Sequence, residues 1–208
     1  MTAAAFGRQV LGAVLAGGAS RRMGTDKALV EVAGTPLVAR AAAALRAAGC
    51  HPVLVVGGDA ARLAELGLGA VADRRPGEGP LDGIVRALEV ADGSAAVVVA
   101  CDMPELAPAT ITALIAALDA SSSSLDVVVA RSERLEPLCA AWAPHALPSL
   151  VEAFEDGERA VHRVLDGLRV GEVCVAADQV RNVNTPADLA EAVAFAERIG
   201  ASGDEATG

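Results

Sequence analysis

Aromatic residues are nearly missing from this chain: of its 208 residues three are Phe, one is Trp and none is Tyr. A core without large rings must be filled by small aliphatic side chains. Ala and Val supply most of the 53% hydrophobic content, which suits thin layers packed between a sheet and its helices. Long apolar runs are missing too. No stretch reaches the ~18 residues of a membrane span. Met1 to Gln9 has no long apolar segment behind a basic start, so no secretory leader is expected and the protein is placed in the cytoplasm.

Positive charge is scarce. Lys and Arg total 17 against 27 Asp and Glu, a formal net charge of −10. Nucleic acid and anionic membrane both call for basic surface, so neither is expected as a partner. A single nucleotide needs only a few local donors and stays open. Cys50, Cys101, Cys139 and Cys174 form no C-x-x-C pair. They are expected as buried small hydrophobes in a reducing compartment, not as zinc ligands. His51, His145 and His162 lack metal-ligand spacing and are expected at the surface or at helix ends. The Walker A loop and the G-x-G-x-x-G dinucleotide fingerprint are both missing, which disfavours a Rossmann oxidoreductase. No Ser/His/Asp or Cys/His constellation suggests covalent catalysis.

What the chain does have is alternation of short apolar runs with helical patterns, the mark of a three-layer α/β/α fold on a mostly parallel sheet. Strands are expected over 10–16, 52–56, 70–72, 95–100, 125–130, 138–142 and 169–175. Helices are expected from Thr35-Pro36 to Gly49, over 59–66, 81–90, 108–118, 146–154 and 159–165, and from Pro186 to Ile199. Thr35 and Thr185 are the expected N-caps of the first and last of these. One domain is expected over 9–199, between a flexible N-terminus (1–8) and a disordered tail (200–208).

The segment richest in chemistry leaves the first strand: Leu15-Ala16-Gly17-Gly18-Ala19-Ser20-Arg21-Arg22-Met23-Gly24-Thr25-Asp26-Lys27. Glycines let backbone N–H groups approach a phosphate, and Arg and Lys neutralise its charge. A strand-to-helix turn with solvated charges could hold a lone Gly-Gly. Gly-Gly, Arg-Arg and Lys together after a central strand point to phosphate binding. Asp102 follows the apolar run 95–100, where open α/β sheets place their ligands. A carboxylate there can hold Mg²⁺ beside substrate phosphates, although it could equally be a helix cap. Gly79-Pro80-Leu81-Asp82-Gly83 is either ordinary turn punctuation or backbone set against a flat base. In Asn182-Val183-Asn184-Thr185-Pro186 the two asparagines face the same way from an extended segment, which suits a polar site.

Taken together, these segments resemble the molybdenum cofactor guanylyltransferases, within the NTP-using nucleotidyltransferases of glycosyltransferase-A-like fold. The stretches that carry the resemblance are 15–27, 34–37, 79–83, 101–104, 156–159 and 182–186, in order along about 10–196. Related cytidylyltransferases typically carry Ala-Ala-Gly in place of Ala16-Gly17-Gly18 and lack the Gly-Pro-Leu turn. The resemblance implies a nucleotide-diphospho-sugar-transferase-like, Rossmann-like topology. It implies that Leu15, Ala16, Gly17, Gly18, Ser20, Pro80 and Leu81 line a guanine nucleotide site. Lys27 and Arg22 would hold the triphosphate as catalytic residues, Asp73 would contact the nucleoside, and Asp102 would bind nucleotide and Mg²⁺. Asn182 and Asn184 would face a pterin acceptor.

The substrates implied are GTP and the molybdopterin cofactor, with GMP transferred and pyrophosphate released. Transient contacts with other cofactor-biosynthesis proteins are also expected. Two positions depart from the family's pattern. Gly57 stands where an asparagine is common, and Glu136-Pro137-Leu138 stands where better-known members carry His-Pro-x. Another nucleotidyltransferase (cytidylyl-, uridylyl- or phospholactate guanylyl-type) and a non-catalytic nucleotide-binding domain remain alternatives.

Overall fold

The structure, a computed structural model, describes residues 9–17 and 26–204, with side chains as far as Arg198. Gly18, Ser20 and Arg22, and the N-terminal residues 1–8, lie outside the described residues.

The first strand, β1 (Leu11–Leu15), is buried along its whole length. It lies between two parallel neighbours, β4 (Val53–Val56) and β6 (Ala96–Ala100). Continuous apolar sequence is what a parallel strand covered on both faces demands, and β6 is likewise buried throughout. β5 (Gly69–Val71) extends the parallel set beyond β4. On the other side of β6 come β8 (Leu135–Trp142), β7 (Val127–Arg131) and β9 (Val170–Cys174), giving the order β5-β4-β1-β6-β8-β7-β9. β8 runs antiparallel to both of its neighbours, while β7 and β9 pair in parallel. The chain departs from β1 first towards β4 and later towards β6, so the strand order reverses between β1 and β6. That reversal opens a crevice at the carboxyl ends of the strands.

Helices cover both faces, completing the three layers. α1 (Leu37–Ala47) and α4 (Pro108–Ala120) pack with Val14, Val97 and Val99. α3 (Pro80–Val90), α5 (Leu147–Glu155) and α6 (Val161–Leu165) pack with Leu15, Val98 and Trp142. Alternate residues of one strand thus feed opposite cores. Leu81, Ile84 and Leu88 of α3 are at most 2% exposed, each burial worth roughly 1.5–3 kcal/mol before entropy is counted. A short helix, α2 (Ala60–Glu65), is capped by Asp59, whose carboxylate accepts from the N–H groups of Ala61 and Arg62.

Four expectations need correction. Thr35 does not cap α1. It pairs with Val32 in a two-residue hairpin, β2 (Glu31–Val32) with β3 (Thr35–Pro36), and Pro36 sits at the cap without a side-chain bond. Gly34 at φ 73 and Ala33 at φ 50 make that turn, so local turn geometry overrides the Thr-Pro start signal. Cys174 is exposed, unlike the buried Cys50, Cys101 and Cys139, because β9 is an edge strand. β8 begins at Leu135, ahead of the run 138–142. The last helix, α7 (Pro186–Asp204), continues past Ile199 into the expected tail. Its start is as expected: the Thr185 hydroxyl accepts from Asp188 N–H, and the Asp188 carboxylate accepts from the N–H groups of Asn184 and Thr185. This reciprocal arrangement is a capping box. α7 packs by Ala192 and Leu189 on Val32 and Leu37.

Candidate active site

Three of the expected site residues meet at one ammonium group. Lys27 Nζ donates to Asp102 Oδ2 at 2.5 Å and to Asn184 Oδ1 at 2.7 Å. Each residue is positioned by a different device. Lys27 opens a 3-10 turn, Lys27–Leu29, whose N-cap is Asp26. Asp102 lies two residues past the end of β6, and its backbone carbonyl accepts from Val183 N–H at 2.9 Å. Val183 is 1% exposed in the cluster under α7. That anchor turns its neighbours Asn182 and Asn184 away from the core. The Lys27 and Asp102 side chains are 14% and 18% exposed, so the pair is sheltered yet reachable.

Asp102 Oδ1 and Asn182 Oδ1 are buried with no hydrogen-bond partner among the described residues. Two unsatisfied hard oxygens on residues that line one cavity are the donor type a divalent cation such as Mg²⁺ prefers. No group of three or more His, Cys, Asp or Glu side chains with metal-binding geometry occurs among the described residues. A cation held here would therefore complete its shell from phosphate oxygens and water.

On the β1–β4–β5 side of Asp102 the chain comes close to itself. A Cβ on Gly17 would lie 3.2 Å from Asp73 Oδ2, and a Cβ on Gly57 would lie 3.2 Å from the backbone of Gly17. Gly57 also has φ 79. Both its conformation and its contact thus favour glycine, and even an asparagine, which tolerates positive φ, would have to push the Gly17 backbone back by a few tenths of an ångström. Burial, reinforced by a hydrogen bond shared with Asp82, raises the Asp73 carboxyl above its ordinary value of 3.8, with the Arg75 N–H acting against the shift.

Asp82 was not singled out by sequence reasoning. It is 2% exposed on the first turn of α3, and its carboxylate accepts from the Arg75 guanidinium at 3.1 Å and the Arg75 N–H at 3.3 Å. A carboxylate amid Leu81, Gly83, Ile84 and Val85 was the available signal, since such a residue must be paired. Arg75 and Arg159 both lie over the Phe154 ring, at 4.7 and 3.8 Å from its centroid, and Arg159 Nε donates to Glu78 at 2.7 Å. The stretch 156–159 thereby fastens the loop that follows Asp73.

Some expected ligand contacts are limited to backbone. Leu15 and Leu81 are 7% and 0% exposed and belong to the core, so neither side chain lines a base. The Leu15 carbonyl accepts from Cys101 N–H, and Ala16 N–H donates to Val56 O. What remains on that run for a ligand is the backbone from the Ala16 carbonyl onward. Pro80 is half-buried at the first position of α3, after Gly79 at φ 95.

On the opposite side of Asp102 lies a cavity of about 440 Å³, lined by Asp102, Asn182, Arg134, Glu136, His162 and Leu165 among others. The departing segment 136–138 is therefore part of the crevice. His162, expected at a surface or helix end, is exposed on α6 and lines this cavity.

A doubly covered sheet with a lysine and a carboxylate paired at its switch point suits the class of NTP-using transferases. The family described as the MobA-like NTP transferase domain matches residues 12–190, and this chain belongs to it. The chain is 36% identical to the "Molybdenum cofactor guanylyltransferase" of Rhodobacter capsulatus, over 88% of this chain and 95% of that one. It is also 36% identical to the "Probable molybdenum cofactor guanylyltransferase" of Pelotomaculum thermopropionicum, over 91% and 94%. Among solved structures, molybdopterin-guanine dinucleotide biosynthesis protein A from Archaeoglobus fulgidus superposes with a TM-score of 0.75 at 26% identity, over 91% of this chain and 100% of that one. No described helix is long and apolar enough to cross a membrane.

Proposed function

We propose that this chain transfers GMP from GTP to the terminal phosphate of molybdenum-loaded molybdopterin, releasing pyrophosphate and forming the guanine dinucleotide cofactor. The names of its relatives support the substrates. The observation that carries the reading is the convergence of Lys27, Asp102 and Asn184 on one point between the Asp73 flank and the 440 Å³ cavity.

The acceptor's phosphate is already ionised near neutrality, its second pKa being about 6. No general base is required, which fits a site without a histidine at its centre. An acceptor oxygen forms a bond to the α-phosphorus as the bond to the bridging oxygen of the pyrophosphate breaks, and that oxygen keeps the electron pair. Lys27 would take up the charge on the departing pyrophosphate. Asp102, with Asn182 beside it, would hold Mg²⁺, which supplies charge neutralisation across the phosphates when bound. Catalysis then rests on positioning and preorganised charge. Gly17 and Asp73 would receive the nucleoside, and Asn184 the acceptor. The same reading places the reaction in the cytoplasm, with the acceptor handed over in transient contact with other cofactor-biosynthesis proteins.

The test is pyrophosphate release with each of the four NTPs and molybdenum-loaded molybdopterin. Guanine offers an N–H donor edge and an O6 acceptor, and a mismatched buried group costs roughly 1–3 kcal/mol. GTP is therefore expected to outperform ATP, CTP and UTP by at least about tenfold. Equal use of CTP and GTP would move the protein to a cytidylyltransferase role.

A further inference from the structure

We infer that Glu136 reads the pyrimidine edge of the acceptor's pterin ring and so sets acceptor specificity; this rests on the proposed transfer to molybdopterin. Three polar or charged residues are buried among the described residues: Asp82, Thr110 and Glu136. Asp82 has its carboxylate filled by Arg75. Glu136, 7% exposed, is only half satisfied. Its Oε1 accepts from Arg134 Nε at 3.1 Å and, weakly, from the Ser132 hydroxyl at 3.4 Å. Oε2 receives no hydrogen bond from the described residues. Unlike Asp102 Oδ1, this oxygen is not sealed from solvent, so it is free to meet a ligand, and it belongs to a residue lining a cavity large enough for a bicyclic ring.

The chemistry of the lining selects the ligand. A pterin presents adjacent N2–H and N3–H donors and an O4 acceptor. A carboxylate accepts from both donors in a two-pronged contact. Arg134, already bonded to Glu136 and largely exposed at 76%, adds a donor for O4. Leu135, Leu138, Leu165 and Val170 offer apolar surface for the ring faces. Asp102 and Asn182 also border the cavity, which would direct the acceptor's phosphate towards the metal-binding carboxylate.

Guanine carries the same donor–donor–acceptor edge, so position must separate the two rings. Asp73 and Gly17 lie at the ends of β5 and β1, across Asp102 from this cavity. Glu136 enters from β8, which runs against β6 and so brings its amino-terminal end to the carboxyl edge of the sheet.

The test is Glu136→Gln, which keeps the shape but replaces one acceptor oxygen with a donor. Neopterin serves as the probe, titrated by its own fluorescence, so binding is read without turnover. Binding of neopterin is expected to weaken at least about tenfold in the variant. The KM for molybdopterin should rise in parallel, with the calorimetric Kd for GTP unchanged. Should Glu136→Gln not fold, Glu136→Asp is read on the same quantities, with the same loss expected from its shorter reach. Unchanged neopterin binding in a folded variant, or no neopterin binding by the wild type, overturns the assignment. Loss of GTP affinity instead would place guanine in this cavity and overturn it equally. A wild type that binds neopterin through Glu136 yet releases no pyrophosphate would refute the proposed reaction and leave the pterin contact standing.

Discussion

Lys27 Nζ donates to Asn184 Oδ1 at 2.7 Å across 157 positions of sequence. The contact ties the turn Lys27–Leu29 to the start of α7, with Asp102 as the third corner at 2.5 Å. One ammonium serves both partners, so a change at any corner is felt at the other two. The predictions below separate their roles.

Lys27→Ala is expected to lower kcat by about 10²–10³-fold, the usual loss for a preorganised charge stabiliser. The fold should survive, because Asp102 stays anchored through its backbone bond to Val183. Steady-state pyrophosphate release and circular dichroism of the same preparation check this. Wild-type turnover would remove Lys27 from the chemistry.

Asp102→Asn separates metal binding from a structural role. Asn matches the size of Asp and caps turns about as well, but it carries no negative charge. The variant is expected to fold normally, to need far more Mg²⁺, and to turn over at least about a hundredfold more slowly, a barrier increase of roughly 2.7 kcal/mol. A Mg²⁺ titration of activity decides the point. If rate and optimum are both unchanged, the ligand lies elsewhere, with Asp73 or Asn184 the next residues to test.

Asn184→Ala should raise the acceptor KM more than the GTP Kd. In the proposed reaction the amide meets the acceptor, and the capping box at Thr185 and Asp188 uses the Asn184 backbone rather than its side chain. Calorimetry with GTP beside acceptor titrations measures both. The reverse pattern would exchange the two halves of the site.

Far from the crevice, Asp126 offers a pH prediction. Its carboxylate accepts from the Arg169 guanidinium at 2.7 and 2.9 Å and from the Arg169 N–H at 2.8 Å. The side-chain bond to Arg169, working against burial, holds its pKa at about 2, below the ordinary 3.8. A lowered pKa means that the folded state favours the carboxylate. The stabilisation is thus present above 3.8 and fades as pH falls towards 2. The stability gap between wild type and Asp126→Asn, measured by urea unfolding, should be widest near neutrality and should close across that acidic range. A constant gap would show that the charge contributes nothing.

The parallel half of the sheet was legible because burial on both faces forces continuous apolar sequence, as in 95–100 and 10–16. The crevice followed from it, since parallel strands bring their carboxyl ends, and with them Lys27 and Asp102, to one side. The direction of β8 was not legible, because an apolar run says nothing of polarity. Its start at Leu135 was hidden by Pro137, a residue that argues against a strand. Pro137 is tolerated because the pairing with β7 slips between Val129 and Ala130, leaving it without a ladder bond to lose. The Arg75–Asp82 pair and the Glu136 cavity are tertiary, since each depends on segments whose sequence spacing carries no period.

The antiparallel β8 also divides the chain's labour along its length. Gly17, Lys27, Asp73 and Asp102 all precede α4, whereas Arg134, Glu136, His162, Asn182 and Asn184 all follow it. The sheet is stitched from two consecutive blocks that meet at one seam, β6 against β8. Outside the sheet the two blocks are joined again, by Lys27 to Asn184, by Val183 to the Asp102 carbonyl, and by α7 on Val32 and Leu37. A hybrid joined within α4 would therefore have to match its partner at the strand seam and at each of these three contacts.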